Sequence, residues 1–468
     1  MTLTRNINVL MLANNPVTHD TRVIKCAESL AASGMKVTVL CREEGAAKSE
    51  VKQGVIYERT PFITTPRALL KKLRYILFNL PKKGFHFSGK SISLLSITFI
   101  FDLLAAALLV PLGLVEKRLI KNRPSYCLSL LNRLLYKPLL HPYITFLTFS
   151  SLYESTLSHK PDVIHAHDID TLMLAAITAK AHNIPYIYDA HEYESDRVDR
   201  KGTINQMLIR FDEAKYIKNA RVITVADGIA ELLVRDYGIP KPTITYNAPI
   251  TANIASTKGQ TIKKVLKLKE SDFLVVYVGF VTITRCLTDI LKALPYTEKV
   301  HFACIGPQYQ PMVEELQNTA ASINQTDYFH LLPAVPYHEV SYFISSADAG
   351  IVVLDNLCTS YEHAMPNKFF ETLCAGLPMI MSSQNEMRAL AETYKLGIFT
   401  KSTSPEEIAK AISKLQAEYK IYAPSEAKTA TLRETFGWEA QEQKLLSLYR
   451  DIFIAPTPQL KTPAIDSQ

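Results

Sequence analysis

The sequence predicts an α/β protein with two doubly wound, Rossmann-like domains that face a central cleft. Short apolar runs alternate with amphipathic stretches in both halves of the chain, which is typical of parallel strands connected by helices. The 468 residues, 47% of them hydrophobic, are enough for two or three domains with substantial cores. A polar stretch at residues 251–263 has no core pattern, and we interpret it as the linker between the halves.

The first half begins with the alternation of a parallel sheet. Apolar runs at 7–12 and 37–41 predict strands on either side of an amphipathic helix at 22–32. The polar loop at 14–21 follows the first strand, and we expect it to face the cleft, because functional loops leave the carboxyl ends of parallel strands. After an insertion at about 61–145 the alternation resumes, and this domain is predicted to cover residues 1–245. Its later elements are strands at 162–166, 185–189, 222–225 and 243–246 and helices at about 171–182 and 205–219.

The second half repeats this pattern over residues 265–435. Residues 436–454 predict a further amphipathic helix, and the proline-rich residues 455–468 predict a disordered tail. The predicted elements of the second half are strands at 273–279, 301–306, 329–332, 350–354 and 379–381 and helices at 288–294, 310–318, 338–345, 367–375 and 405–418.

Residues 366–378 predict a short helix with the chemistry of an anion site. Pro366 suits the first helical position, and Gly376 suits the left-handed residue that ends a helix. Lys368 lies in the first turn, where unpaired N–H groups and the helix dipole already favour an anion, and Glu371 follows one turn later on the same face. Local physics leaves two interpretations open: a site for a phosphate and a hydroxyl-bearing group, or a surface helix with a Lys–Glu pair.

The net charge of +7 is concentrated in the insertion. Residues 61–145 contain 13 Lys and Arg against two acidic residues, and the 24 residues 92–115 within them contain one charge, Asp102. Three interpretations of this apolar segment are open: a buried core helix, a transmembrane span, and a hairpin or helix in the bilayer interface. The flanking cations and aromatic residues favour attachment to an anionic membrane surface. No nucleic acid partner is expected, because a nucleic-acid surface would not need so long an uncharged run.

Cysteine usage and the N-terminal residues indicate the compartment. The seven cysteines are scattered and contain no C-x-x-C pair, so neither a disulfide framework nor a zinc knuckle is predicted. The apolar run at 7–12 is short and leads into a polar loop instead of a small-residue cleavage site, which predicts a strand and not a signal peptide. We expect a cytoplasmic protein attached peripherally or monotopically to the inner face of the cytoplasmic membrane.

A series of short motifs extends over nearly the whole chain outside the insertion. They lie at residues 14–25, 161–168, 188–193, 246–249, 277–280, 346–348, 366–378 and 437–439. In this order and spacing the chain resembles the GT-B glycosyltransferases of the large retaining family 4. The resemblance implies an acceptor-side first domain, a nucleotide-sugar-binding second domain, and a helix at 436–454 that crosses back onto the first domain. It also implies a retaining hexosyltransferase that uses a nucleotide-sugar as substrate, with no cofactor and no obligatory metal.

The resemblance assigns the donor site to the second domain. In this family a basic residue after the second domain's first strand and the N-terminus of the motif helix stabilise the departing phosphate, and here Arg285 and Lys368 match these roles. Glu371 matches the glutamate expected to bind the ribose hydroxyls, since a carboxylate accepts two hydrogen bonds. Further donor-binding candidates are Gly279, His363, Pro366 and Asn367.

Two departures from the family pattern concern the donor sugar. The first glutamate of the usual motif lies eight residues before Glu371, where this chain has His363, and Glu362 is one residue out of register. The chain instead matches a Pro-Asn-Lys variant of the motif. Phe280 also replaces the basic residue often found directly after Gly279. The sequence accordingly leaves the donor nucleotide and sugar open.

Candidates in the first domain lie at strand ends that face the cleft. His191 matches the position at which family members place a histidine near the reacting sugar, which makes it the third catalytic candidate. Asn15, Asp20 and Arg22 belong to the first loop, which in this fold commonly touches the acceptor or the donor phosphate. Alternatively, Asp20 and Arg22 cap and start the helix that follows.

The motifs His-x-His-Asp at 165–168 and Asp-x-Asp at 168–170 have the chemistry of metal ligands. Both fall in the first domain, away from the predicted donor half. His165 alternates along a strand with His167, so that its side chain is expected to be partly buried. No metal site is predicted.

The sequence therefore predicts a glycosyltransferase that moves a sugar from a nucleotide-diphosphate sugar to a lipid-linked or surface-glycan acceptor, as in polysaccharide biosynthesis. The acceptor prediction depends on the insertion alone. Two alternatives remain open. One is a nucleotide-sugar epimerase or hydrolase of the same fold, which would need acid/base carboxylates in the cleft, and the other is a non-catalytic nucleotide-sugar-binding scaffold.

Overall fold

The computed structural model of the chain describes residues 7–43, 48–61, 152–153, 155–198, 200–252, 254 and 259–454. The predicted insertion, apart from its first residue, lies outside these residues, and so does the predicted disordered tail. The predicted membrane-associated segment at 92–115 belongs to that insertion. Within the described ranges, no helix is both long enough and apolar enough to cross a bilayer.

The first domain is built on an eight-stranded sheet. Its strands are β1 (Asn8–Leu12), β2 (Lys36–Glu43), β3 (Ser49–Lys52), β4 (Val55–Pro61), β5 (Val163–His167), β6 (Tyr186–Ala190), β7 (Arg221–Thr224) and β8 (Thr243–Ile244). Their spatial order is β3-β4-β2-β1-β5-β6-β7-β8, and all neighbours are parallel except the antiparallel pair β3 and β4. In the chain, the predicted insertion thus lies between β4 and β5.

The second domain is built on a six-stranded parallel sheet. Its strands are β9 (Phe273–Val278), β10 (Val300–Ile305), β11 (Phe329–Leu332), β12 (Ala349–Val352), β13 (Met379–Met381) and β14 (Gly397–Phe399). Their order, β11-β10-β9-β12-β13-β14, is that of a complete doubly wound dinucleotide-binding sheet.

Helices connect these strands and cover both sheets. In the first domain they are α1 (Thr21–Ala32), α2 (Ile169–His182), α3 (Ile204–Tyr216) and α4 (Asp227–Tyr237). In the second domain they are α5 (Ile262–Leu266), α6 (Leu287–Ala293), α7 (Gln310–Ser322), α8 (Val340–Ile344), α9 (Thr359–Glu362), α10 (Asn367–Ala375), α11 (Asn385–Tyr394), α12 (Pro405–Ala417), α13 (Tyr419–Tyr422) and α14 (Glu426–Phe436). The last helix, α15 (Trp438–Ile454), returns to the first domain, where Trp438, Leu445 and Tyr449 are buried in the core beneath β1 and β2.

Each sheet reverses its strand order at one point, and the loops at these points form the cleft. The reversal lies between β1 and β5 in the first sheet and between β9 and β12 in the second. In doubly wound sheets ligands bind outside the carboxyl ends of the strands at such a point. The loops of the two domains face each other here: Thr359 Oγ1 and its backbone N–H donate to the Asp196 carboxylate, and Lys201 Nζ donates to the Leu357 carbonyl at 3.2 Å.

The connection between the domains is fixed by the residues around 245–252. The Glu439 carboxylate accepts hydrogen bonds from the backbone N–H of Thr251 and Ala252 and from Thr251 Oγ1, at 2.7–2.8 Å. The Tyr246 ring packs against Phe370 of α10 in a tilted arrangement, with 4.7 Å between ring centres. The linker therefore contacts both the returning helix α15 and the motif helix α10.

The predicted fold class of two doubly wound domains is confirmed, with local differences. Helix α10 has the predicted bounds, but Pro366 is its N-cap residue and not its first helical residue, because its ψ of 149° is extended. The prediction missed β3, which is exposed, β14, which has three residues, and β4, whose buried residues include the polar Arg59 and Thr60. It also missed the helices α4, α9, α11, α13 and α14. The residues interpreted as a linker end in α5, which begins at Ile262.

Candidate functional site

Helix α10 places a lysine beside the carboxyl end of β9. Gly376 ends the helix with φ of 80°, as predicted, and Phe369 and Phe370 are fully buried. These anchors hold Lys368 in the first turn, where its Nζ lies 4.0 Å from the centre of the Tyr277 ring on β9. A Cβ atom on Gly279, just after that strand, would lie 3.8 Å from Lys368 Cε. Lys368 and Gly279 are therefore neighbours, as predicted, and Pro366 and Asn367 begin the same turn.

Lys368 is a buried lysine whose pKa is lowered. Its side chain is 8% exposed, and burial lowers its pKa to about 7. The positive charge of Arg285 contributes to this lowering of the pKa, and the negative charge of Glu371 opposes it. An anion bound next to Lys368 would restore the charge of the ammonium group.

Arg285 stands in a strained loop between β9 and α6. The residues on either side of it, Thr284 and Cys286, have φ of 67° and 54°, although neither is glycine. Left-handed backbone is unusual for a β-branched residue, and such strain concentrates at functional sites. The Cys286 thiol donates to the Asp355 carboxylate at 3.6 Å. Arg285 itself is half-buried, and no hydrogen bond or ion pair to its guanidinium is found within the described part of the chain.

Glu371 lies one turn after Lys368 and faces a cation of the first domain. Burial raises the pKa of its carboxyl, and the charges of Lys25 and Lys368 oppose this shift. Lys25 belongs to α1 and is 3% exposed, with a pKa lowered by burial to about 7. Its Nζ donates to the Ala248 carbonyl and lies 4.8 Å from the centre of the Trp438 ring. Lys25 was not among the predicted site residues, although the motif at residues 14–25 ends on it.

His191 is held between two carboxylates at the ends of β5 and β6. Its Nδ1 lies 3.3 Å from Asp168 Oδ2, and its Nε2 lies 3.6 Å from Asp189 Oδ2 and 3.1 Å from His167 Nδ1. Burial alone would lower the pKa of His191, but the charges of Asp168 and Asp189 raise it well above the ordinary value. The ring is 17% exposed, so His191 is a partly accessible imidazolium at the first-domain wall of the cleft.

Arg22 does not face the cleft, contrary to expectation. It lies inside α1, is 2% exposed, and pairs with Asp189 through two bonds, Nε to Oδ2 at 2.8 Å and Nη2 to Oδ1 at 2.6 Å. It also donates to the carbonyl and the hydroxyl of Thr245. The position inside the amphipathic helix turns this side chain toward the core. The role of Arg22 is therefore to neutralise the carboxylate beneath His191.

Asp20 and Asn15 organise the first loop. Asp20 is the N-cap of α1, and its Oδ1 accepts a hydrogen bond from the Val23 N–H at 3.2 Å. Its Oδ2 accepts a bond from Asn15 Nδ2 at 2.8 Å. The capping interpretation thus applies to Asp20, and contact with a substrate remains a proposal for both residues.

A buried cluster connects this wall to the last helix. His165 Nδ1 lies 2.9 Å from the Tyr449 hydroxyl on α15, and its ring stacks on His167 with 4.4 Å between centres. His165, His167 and Asp189 offer atoms within 4.8 Å of one another, which is also the chemistry of a metal site. Both Asp189 oxygens are already bonded to Arg22, and we treat the group as an ion-pair network.

His363 contacts the other domain. Its Nδ1 lies 3.2 Å from Glu386 Oε1, which also accepts the backbone N–H of Gly228 on α4 at 2.8 Å. The hydrogen bond to Glu386 raises the pKa of His363. Glu362, the carboxylate one residue out of register, accepts a bond from Asn385 at 3.1 Å. The residue at the first motif position thus belongs to an interdomain contact, which no local pattern could predict.

Two family models match the chain. The model described as Glycosyltransferase Family 4 matches residues 121–248, and the one described as Glycosyl transferases group 1 matches residues 259–428. Among curated proteins, the D-inositol 3-phosphate glycosyltransferase of Streptosporangium roseum is 20% identical over 62% of this chain and 69% of its own length. An uncharacterised glycosyltransferase of Methanocaldococcus jannaschii is 20% identical over 67% of this chain and 83% of its own length.

Solved structures share the arrangement of the two domains. Sucrose-phosphate synthase from Thermosynechococcus elongatus superposes with a TM-score of 0.65 at 14% identity, covering 96% of this chain and all of its own. HepE of Anabaena, solved with UDP and glucose, superposes with a TM-score of 0.63 at 13% identity, covering 95% of this chain and 99% of its own. At this level of identity the likeness concerns the fold.

Proposed function

The chain belongs to the GT-B glycosyltransferases of the family 4 type, and from this membership we propose that it transfers a sugar from a nucleoside diphosphate sugar to a lipid-linked or surface-glycan acceptor. Transfer retains the anomeric configuration and requires no metal ion in this proposal. The epimerase and the non-catalytic scaffold are less favoured, because the matching family models and both curated relatives are described as glycosyltransferases.

The observation that carries the proposal is the convergence of Arg285, Lys368 and the N-terminus of α10 near Gly279. Sugar transfer builds negative charge on the departing diphosphate, and fixed cations and backbone N–H groups at that place lower the barrier. Within the described part of the chain, the Arg285 guanidinium has no hydrogen bond or ion pair to another residue. An anion beside Lys368 would raise the pKa of this lysine and so favour its charged form. In this proposal the two side chains stabilise the charge on the phosphate oxygens, as a metal ion does in other phosphate sites.

Glu371 is proposed to bind the ribose hydroxyls of the donor. Its carboxylate lies one helical turn from Lys368, so a diphosphate beside the lysine places the ribose within reach of Glu371. Burial raises the pKa of this carboxyl, and the charges of Lys25 and Lys368 favour its ionised form. An ionised carboxylate accepts both hydrogen bonds of a vicinal diol.

His191 is proposed to act on the transferred sugar from the first-domain wall. Its positive charge suits the developing charge of the departing phosphate or an oxygen of the sugar. The acceptor enters next to the loop that contains Asn15 and Asp20. His363 and the residues around Glu386 are proposed to border the donor sugar.

The acceptor proposal depends on the basic insertion. Its cations, aromatic residues and nearly uncharged stretch at 92–115 suit an anionic membrane surface, where lipid-linked acceptors reside. Co-sedimentation with phosphatidylglycerol vesicles tests this: the full chain should bind, and a variant lacking residues 84–116 should not. Equally tight binding by the deletion variant would contradict the proposal.

The donor site is tested by thermal unfolding with UDP, GDP and ADP. HepE was solved with UDP and UDP-glucose, so UDP is the first probe. A nucleotide that binds the native state at one hundred times its Kd adds about 2.7 kcal/mol to the free energy of unfolding. We expect a shift with one nucleotide that Arg285→Gln and Glu371→Gln reduce and that Lys267→Gly, far from the cleft, retains. The proposed donor site would be contradicted if no nucleotide shifted the unfolding temperature of the wild type. It would also be contradicted if both site variants showed the same shift as the wild type.

A further inference from the structure

Asp168 has two properties that the fold does not require. Its backbone has φ of 60° and ψ of 168°, a combination populated essentially by glycine. It is the N-cap residue of α2, yet its side chain makes no capping hydrogen bond. Asp20 shows the ordinary arrangement, with φ of −80° and a bond from the Val23 N–H. Asp168 thus adopts an unfavourable backbone conformation, and its side chain does not accept the hydrogen bond from a backbone N–H of α2 that an N-cap aspartate usually accepts.

The Asp168 carboxylate turns to His191 instead. Its Oδ2 lies 3.3 Å from His191 Nδ1, and the Asp168 backbone N–H donates to the Asp189 carbonyl at 3.0 Å. The other ring nitrogen, Nε2, lies 3.1 Å from His167 Nδ1. The imidazole is therefore held at both nitrogens by groups of the first domain.

Charged groups face His191 from several elements. Among the carboxylates near the ring, Asp168 differs because no arginine in the described ranges binds both of its oxygens. Asp189 lies beneath the ring, but Arg22 occupies both of its oxygens. His165 and His167 are held neutral, because burial lowers the pKa of each. Asp168 is the carboxylate at His191 without such a guanidinium clamp, and its own pKa is lowered, chiefly by the charge of His191 against the effect of burial. The other charged groups that act on Asp168 are Arg197 and Glu194.

We propose that Asp168 is the positioning residue for His191: its carboxylate fixes the ring and keeps a positive charge at the cleft wall, and the backbone strain at Asp168 results from placing it there. Because both ring nitrogens are engaged within the first domain, His191 acts through its charge and not as a general base. This inference rests on the role proposed above for His191 in sugar transfer.

The first test measures the link between the two residues without substrate. In protein labelled with ¹⁵N-histidine, with His191 assigned through His191→Gln, NMR follows the protonation of the ring. Asp168→Asn keeps the shape of the side chain and removes its charge, so the His191 midpoint should fall by about one pH unit or more. An unchanged midpoint in Asp168→Asn would overturn the proposal.

The second test separates a positioning role from a structural one. Asp168→Gly and Asp168→Asn both lose the ion pair with His191, but only Asp168→Gly removes the backbone strain, so its Tm should be higher than that of Asp168→Asn. Lys267→Gly relieves φ of 56° before β9 and keeps the ion pair, so its Tm should equal or exceed that of the wild type. In Asp168→Asn and Asp168→Gly, kcat should fall by about tenfold at neutral pH with KM for the donor nearly unchanged, and the fall should steepen as pH rises. Lys267→Gly should keep the wild-type kcat.

The outcomes distinguish this inference from the proposed function. Wild-type kcat and pH profile in Asp168→Asn would overturn the positioning role, and so would a Tm of Asp168→Gly no higher than that of Asp168→Asn. If the wild-type protein transfers no sugar from any donor, the proposed function fails, while the NMR midpoint and the Tm comparison still decide the link between Asp168 and His191.

Discussion

The ammonium group of Lys368 lies 4.0 Å from the centre of the Tyr277 ring, within the second domain and next to Glu371. The aromatic face stabilises the cation, but burial is the stronger effect and lowers the pKa of Lys368 to about 7. Donor binding is therefore coupled to protonation of this lysine.

We expect diphosphate binding to take up a proton above neutral pH. At pH 8 the free protein holds Lys368 largely neutral, and a bound diphosphate raises the pKa of Lys368, so up to one proton enters with the ligand. Affinity should weaken by up to about tenfold per pH unit above pH 7 and level off below it, where the lysine is already charged. Calorimetry in two buffers with different ionisation enthalpies measures this uptake.

Two variants isolate the lysine responsible. Lys368→Met should bind the nucleotide more weakly and take up no proton. Lys25→Met serves as the control, since burial also lowers the pKa of Lys25 to about 7 although it lies on the other domain. Proton uptake that persists in Lys368→Met and vanishes in Lys25→Met would assign the coupling to Lys25 instead.

The ion pair between Arg22 and Asp189 should be essential for stability. Both side chains are fully buried, so Arg22→Met leaves an unpaired carboxylate and should lower the free energy of unfolding by about 3–5 kcal/mol. Burial alone would raise the pKa of Asp189, but the charges of Arg22 and His191 hold it well below the ordinary value. Its contribution is thus present above about pH 4 and is lost as pH falls through the lowered pKa.

Denaturant unfolding of two variants measures this pair. The double variant Arg22→Met with Asp189→Leu should regain much of the lost stability, because it removes both buried charges. Sugar transfer should stay impaired in the double variant, since Asp189 lies 3.6 Å from His191. A loss below about 1 kcal/mol in Arg22→Met would show that water or another cation compensates the carboxylate.

Strain around Arg285 gives a prediction in which stability and activity change in opposite directions. Thr284 is exposed with φ of 67°, so Thr284→Gly should raise the free energy of unfolding by about 0.5–1 kcal/mol, the relief of strain being partly offset by the entropy of glycine. The freed loop positions Arg285 less well, and kcat should fall by several-fold. Lys267→Gly relieves similar strain elsewhere and should leave kcat unchanged. Equal kcat values in the two variants would mean that Arg285 does not depend on this loop.

Local patterns predicted the parts of the fold that depend on neighbours in sequence. Helix α10 was predicted with its correct bounds because Pro366 and Gly376 mark its ends and a buried face recurs between them. The apolar runs also located most strands of both sheets, since parallel strands are buried on both faces. Strand β14 has only three residues and β3 is fully exposed, so neither gives a pattern.

The pairings within the candidate site could not be predicted, because they depend on the order of strands in space. Arg22 and Asp189 are 167 residues apart, and their contact requires α1 to pack beside the end of β6. The helical spacing of apolar residues in α1 shows that one face of the helix is buried. It does not show which carboxylate a basic residue on that face will contact. The backbone of Asp168 is likewise set by its tertiary partner His191 against its own local preference.

The contact of Gly228 with His363 and Glu386 should control closure of the cleft. A Cβ atom on Gly228 would overlap His363 Nδ1 and Glu386 Oε1, so Gly228→Ala should force the two domains apart at this point. Alanine is the better helix former by about 1 kcal/mol, and α4 itself should therefore not be weakened.

The radius of gyration from small-angle scattering should increase, and kcat/KM for the donor should fall by about tenfold, since residues of both domains must meet the substrate. Gly259→Ala is the control, because among the described residues its Cβ would meet Tyr342 alone, at an ordinary 3.7 Å, and it should keep the wild-type radius and kinetics. A Gly228→Ala protein with the wild-type radius of gyration would show that the His363 and Glu386 side chains turn aside without opening the cleft.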